Sequence, residues 1–122
     1  DGKTKKLYFL KLIKTDILKP LEPNQSDAWR RLDVAILQRY LLDEILQPKF
    51  AAGKEITKAY VSYSNQIVPQ TDGVKNQIAL ILQPTPIHAL EELGKHNEVM
   101  PQKSTYFYPK LATGMLINPL TL

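Results

Sequence analysis

The sequence predicts a single α+β domain over residues 1–122, with a mixed sheet of about four strands and two main helices packed on it. Short apolar runs bounded by charged or turn-forming residues indicate the strands. Apolar stripes that recur every three or four residues indicate the helices. The predicted order is β-α-β-β-α-β, which is typical of a sheet covered by helices.

Four short apolar runs predict the strands, at residues 6–13, 56–63, 77–83 and 114–118. The run at 77–83 contains five consecutive apolar residues, from Ile78 to Leu82. Such a run between turn residues favours an interior strand that is covered on both faces. We therefore expect Leu80 to lie in the core. Residues 20–28, 64–76 and 98–113 are predicted to be loops, with room for a short helical turn in the segment that contains Pro69.

The first helix is predicted over residues 33–46, where the stripe consists of Val34, Leu37, Leu41 and Ile45. Asp33 is expected to cap its N-terminus by accepting from a free backbone N–H. Arg39 and Asp43 have the spacing of an ion pair on one helix face. Pro48 is expected to end the helix, because the residue before a proline disfavours helical geometry.

The second helix is predicted after Pro84, with Thr85 as its cap and Pro86 at its first position. Its expected buried stripe is Ile87, Leu90 and Leu93. On the exposed side, the spacing predicts the pairs Glu91–Lys95 and Glu92–His96. Gly94 and Asn97 are expected to mark its end.

Charge and composition limit the functional classes. The net charge is +4, and residues 1–19 account for all of it, with six lysines against Asp1 and Asp16. This segment is predicted to be a strand with solvated lysines, or alternatively a strand that contacts phosphates. With three arginines in the whole chain, nucleic-acid binding is not expected. The chain has no cysteine, which excludes disulfides and cysteine zinc sites and fits a cytoplasmic protein. No apolar run is long enough to span a membrane.

Residues 100–110 form the most unusual segment, because two prolines bracket three consecutive aromatic residues, two hydroxyl residues and Lys103, and Lys110 follows the second proline. One interpretation is an extended arm that anchors its rings in the core, with Phe107 as the anchor. The other is an anion or nucleotide-phosphate site, in which a lysine supplies charge, hydroxyls donate and a tyrosine stacks on a base. The candidate ligand-binding residues are Lys103, Ser104, Thr105, Tyr106, Tyr108 and Lys110.

Catalytic motifs are not apparent, and no catalytic residue or metal ligand is predicted. The chain lacks a glycine-rich phosphate loop. His88 and His96, the two histidines, lie too far apart along a helix to share a metal ion. A Ser-His-Asp assembly would need Ser104 with one of them, and nothing local supports it.

The stretches LDVAIL at 32–37, LILQPTPI at 80–87 and MPQKSTYFYPKLATGMLINPL at 100–120 resemble the C-terminal half of a bacterial family known as domain of unknown function 1015. Members of that family are cytoplasmic and several times longer than this chain. Their N-terminal portion carries an Asp-Gly-His-His-Arg type of motif that resembles the nucleotide-binding box of ParB-like proteins. This chain has no adjacent histidines.

The resemblance implies that the chain is the C-terminal domain of a longer protein, and its start at Asp1 is interpreted as a cut within that protein. The expected function is a non-catalytic module that packs on the ParB-like domain and lines a shared anion or nucleotide cleft. The expected partners are that missing domain and a nucleotide or other small molecule; no cofactor is expected in this chain alone. The alternatives are a substrate-covering part of a small-metabolite phosphotransferase and a nucleic-acid-associated module.

Overall fold

The structure is a computed structural model that describes residues 1–75 and 78–105. Its regular elements are helical: α1 (Asp27–Arg30), α2 (Asp33–Ala35), a π-helix (Ile36–Leu46), α3 (Gln47–Phe50), a 3-10 helix (Ser64–Gln66), α4 (Ile67–Gln70) and α5 (Ile87–Lys95). The elements α2, π-helix and α3 follow one another without a gap, so that residues 33–50 form one helical run. Short turns and irregular segments connect the other elements.

The predicted α+β fold with a four-stranded sheet is wrong, since no residue in 1–75 or 78–105 belongs to a β-strand. Residues 6–13, 56–63 and 78–83 have no regular secondary structure, and the run at 114–118 lies outside the described residues. Apolar side chains give a segment strand propensity, but a strand forms only where a neighbouring segment completes the hydrogen-bond ladder. Leu80, expected inside a sheet, is 40% exposed.

The helical run from residue 33 confirms a helix over the predicted range but not its boundaries. Leu32 is the N-cap residue, and Asp33 lies in the first turn without a side-chain capping bond. Its carboxylate instead lies near the positive end of the helix dipole. The run also passes Pro48 near the start of α3, so that it tolerates the backbone N–H that proline lacks. Pro48 therefore does not end the helix as predicted.

The π-helix changes which side chains share a face. The N–H of Gln47 donates to the carbonyl of Leu42, five residues earlier, which is the π-helical pattern. Because a π-turn is wider than an α-turn, residues spaced three and four apart no longer align. The predicted stripe consequently does not form one buried face, and no residue of the π-helix is fully buried.

The core of the described residues lies where the turn at residues 16–22, α1, α2 and α5 meet. Its buried members are Leu18, Trp29, Leu32, Ala35 and Leu93, and side chains around them include Ile17, Leu21, Val34, Tyr40 and Met100. The chain segment that was predicted to be a loop at 20–28 ends in α1, whose N-cap is Ser26. Helix α1 packs against α5, which brings chain segments about 60 residues apart into contact.

An ion-pair network holds the π-helix on the turn before α1. The guanidinium of Arg39 donates to Asp43 at 2.8 Å, which confirms the predicted pair, and also to Glu22. The hydrogen bond to Glu22, followed by that to Asp43, raises the pKa of Arg39. Arg39 thus joins the helix to a residue 17 positions earlier in the chain.

Helix α5 begins at Ile87 with Pro86 as its N-cap and no capping side chain, so that the roles predicted for Thr85 and Pro86 are wrong by one position. Leu93 is buried as expected, whereas Ile87 is exposed. The ion pair on its exposed face joins Glu92 to Lys95, and it replaces the two predicted pairs.

The C-terminus of α5 is closed by a Schellman motif. Asn97 has a φ of 54°, its N–H donates to the Gly94 carbonyl at 3.1 Å, and the N–H of Glu98 donates to the Leu93 carbonyl at 3.0 Å. Asn97 therefore marks the helix end as predicted, whereas Gly94 lies within α5. The motif also turns the chain back toward α1, which places residues 98–100 beside the core.

Candidate functional site

The segment at residues 98–105 carries the first three of the predicted ligand-binding residues, and the core holds its base. The indole Nε1 of Trp29 donates to the carbonyl oxygen of Val99 at 3.0 Å. Met100 packs against the core cluster. Val99 and Met100 therefore attach the base of the segment to the core through one hydrogen bond and one apolar contact, and the hydrogen bond comes from a residue 70 positions earlier.

The turn beyond that base, residues 101–105, presents a cation to solvent. Lys103 is exposed, and its φ of 59° lies in the left-handed region of backbone conformation. The Ser104 hydroxyl donates to the Pro101 carbonyl, which closes the turn, so its hydrogen is engaged within the protein. Thr105 is exposed. Tyr106, Tyr108 and Lys110, together with the expected anchor Phe107, lie outside the described residues.

A second polar feature links the same segment to α1. The backbone N–H and the hydroxyl of Ser26 both donate to the carboxylate of Glu98, while the Ser26 Oγ accepts from the N–H of Trp29 at 3.1 Å. Partial burial acts to raise the pKa of Glu98, but the two hydrogen bonds from Ser26, together with the nearby His96 and Arg30, outweigh it and hold that pKa below its ordinary value. The carboxylate also lies at the positive end of α1, whose exposed N–H groups favour an anion.

An open depression of about 660 Å³ lies between α1 and the end of α5. It is lined by polar and charged side chains, among them Ser26, Asp27, Arg30, Arg31, Glu92, His96 and Glu98. Most of these charges are already paired. Arg30 donates to Asp27 and so lowers the pKa of that carboxyl, and Lys95 does the same for Glu92.

This face was not among the sequence predictions, because Ser26 and Asp27, like Pro20, Pro23 and Asn24 before them, were interpreted as loop residues. The signal that could have identified it is Ser26 followed by Asp27, which is an N-cap with an acidic first turn. The single tryptophan three residues later is a natural core residue for the short helix that these residues begin.

Comparison of the chain with protein-family models, with curated proteins and with solved structures finds no match. Across residues 1–75 and 78–105, no group of three or more His, Asp or Glu side chains is arranged to hold a metal ion. In the same part of the chain, none of the helices is long and apolar enough to cross a bilayer.

The Glu98–Ser26 contact predicts an acid-sensitive contribution to stability. Because folding lowers the pKa of Glu98, the contribution is fully present above the ordinary carboxyl pKa, near 4.3, and is lost as pH falls through the lower folded value. The variant Glu98→Gln should therefore show a smaller loss of stability than the wild type over this acidic range in urea titrations. As a control, Glu55→Gln alters an exposed carboxylate and should reproduce the wild-type pH profile. Parallel profiles for Glu98→Gln and the wild type would contradict this assignment.

Proposed function

We propose that this chain is a non-catalytic module that packs on a ParB-like nucleotide-binding domain and contributes Lys103 to an anion or nucleotide cleft shared with that domain. The observation that carries the proposal is the exposed Lys103 on a turn whose base is fixed to the core. A cation on a fixed turn binds an anion at a lower entropic cost than one on a free chain end. The location we propose is the cytoplasm, in keeping with a chain that has no cysteine.

Two further features support the packing part of the proposal. Many large apolar side chains are exposed, including Leu7, Phe9, Ile13, Ile81 and Val99. Exposed apolar surface marks sites of protein association where it is contiguous, and Leu7, Phe9 and Ile13 lie close together in the chain. Val99 belongs to the same segment as Lys103, so apolar surface and the candidate anion site are adjacent in the chain.

The expected result is that full-length protein binds ATP, ADP or CTP, whereas this chain alone binds each of them with a dissociation constant weaker than micromolar. Lys103→Ala in the full-length protein should weaken binding about tenfold, the loss of a charge-assisted hydrogen bond. It should leave the thermal midpoint nearly unchanged, because the side chain is exposed. Isothermal titration calorimetry measures both affinities.

The matched control is Lys54→Ala, which removes an equally exposed lysine from a turn elsewhere in the chain. Unchanged nucleotide affinity in Lys103→Ala, or a micromolar constant for this chain alone, would overturn the proposal. If full-length Lys103→Ala retained its nucleotide affinity but lost phosphoryl transfer to a small hydroxy or amino acid, that result would instead support the substrate-covering alternative.

A further inference from the structure

The apolar segment near the N-terminus, residues 5–14, is exposed along its whole length. Leu7 and Ile13 are each 91% exposed and Phe9 is 87% exposed. Within residues 1–75 and 78–105, no hydrogen bond engages a backbone group of residues 7–13. The segment therefore offers apolar side chains and a row of N–H and C=O groups that no described residue pairs with, as a free sheet edge does.

The two ends of this segment are not equivalent. At its start, the Lys5 ammonium donates to the Thr71 carbonyl at 3.0 Å. Gly2 is buried against Gly73, where an added Cβ would lie 2.9 Å from the Gly2 carbonyl oxygen. The segment is thus fixed at its beginning, whereas the backbone of residues 7–13 has no hydrogen-bond partner among residues 1–75 and 78–105.

Charge restricts what pairs with the segment. Four lysines and no acidic residue lie within it: Lys5, Lys6, Lys11 and Lys14. In an extended chain, alternate residues face opposite sides, so each face has an apolar centre and two lysines. The odd-numbered face carries Leu7, Phe9 and Ile13, and the even-numbered face carries Tyr8, Leu10 and Leu12.

A second copy of this chain is a poor partner. An antiparallel pair centred on Leu10 would set Lys6 opposite Lys14, and displaced alignments would set Lys6 or Lys5 opposite Lys11. A parallel in-register pair would set every lysine beside its own copy. Like charges directly opposite each other destabilise a pair of extended chains.

We propose that residues 6–13 bind by main-chain pairing to the exposed edge of another polypeptide whose apolar centre is flanked by Asp or Glu. This proposal rests on the proposed function, because residues 6–13 would be the segment through which the module packs on its partner domain. Main-chain hydrogen bonds give such contacts their affinity, and side chains on alternate positions give their specificity. The lysines contribute charge complementarity, which selects an acidic partner and speeds association.

The test uses two fluorescein-labelled peptides with the same alternating valine and threonine centre, one with a glutamate pair at each end and one with a lysine pair. Fluorescence anisotropy with this chain should show the acidic peptide binding at least about tenfold more tightly at low salt. The difference should shrink as salt rises, because exposed charges are screened. Equal binding of the two peptides would overturn the proposal.

Two variants at one position test main-chain pairing. Leu10→Pro removes a backbone donor and should abolish binding of the acidic peptide, whereas Leu10→Val keeps the donor and should retain it. Both should keep the wild-type circular dichroism, because no described contact uses the backbone of residue 10. Retained binding by Leu10→Pro would overturn the proposal.

Two other binding partners for residues 6–13 would each give a distinct experimental result. A dimer in sedimentation experiments that Leu10→Pro dissociates would assign the surface to a second copy. Strong protection of residues 7–13 from hydrogen exchange in the monomer would assign it to this chain itself. Either result would overturn the proposal. The peptide experiments contain no nucleotide. A negative result in them would therefore leave the nucleotide titration of Lys103→Ala valid, and a negative titration would leave the peptide result valid.

Discussion

Replacing Trp29 by alanine should cost about 3–5 kcal/mol of the free energy of unfolding, the usual cost of removing a buried aromatic side chain. Trp29 is 6% exposed and joins α1 to the segment after α5 through its hydrogen bond to Val99. A domain of this size is stabilised by about 5–15 kcal/mol in total, so the variant should lose a large share of its stability. Urea titration followed by circular dichroism measures the change.

Trp29→Phe separates packing from hydrogen bonding in this position. It keeps an aromatic ring but lacks a donor for the Val99 carbonyl, and the expected cost of the lost hydrogen bond is about 1 kcal/mol. Phe50→Ala is the control for removal of an aromatic ring. Because Phe50 is exposed, its replacement should change the free energy of unfolding little. A loss below about 1 kcal/mol in Trp29→Ala would mean that the indole does not belong to the core.

Leu18→Ala should cost about 2–5 kcal/mol, because Leu18 has no exposed surface and its loss leaves a cavity among α1, α2 and α5. Leu7→Ala makes the same chemical change at a residue that is 91% exposed and should alter stability by no more than about 0.5 kcal/mol. Chemical denaturation of the two variants measures the difference. Equal costs would show that burial does not distinguish these two leucines, and that the core has been assigned incorrectly.

The sequence predicted where the two main helices lie, but it predicted their caps and ends less well. The spacing of apolar residues located the helices at 33–46 and after Pro86, because periodicity is a local property of the chain. The ion pair Arg39–Asp43 and the helix end at Asn97 were also local and were found. Capping by Asp33 and termination at Pro48 were wrong, since the π-helix and α3 continue the run through the proline.

The candidate site was predictable in part. Lys103 was selected for its residue type and lies exposed on a turn, but the bond that closes the turn, from Ser104 to Pro101, was not expected. The anchoring of residues 98–100 by Ser26 and Trp29 was also missed. Those contacts join residues about 70 positions apart, and no local pattern contains that information.

What the sequence determined by itself was local: the helical periods, the concentration of positive charge in residues 1–19 and the unusual composition of residues 100–110. What only the tertiary structure decided was pairing. The apolar runs at 6–13, 56–63 and 78–83 have the composition of strands, yet a strand needs a second segment at hydrogen-bonding distance, and no described segment supplies one. In the same way, the core formed around Leu18 and Trp29 because α1 meets α5. The free energy of burial depends on which distant surfaces come together, and the order of residues along one segment does not record it.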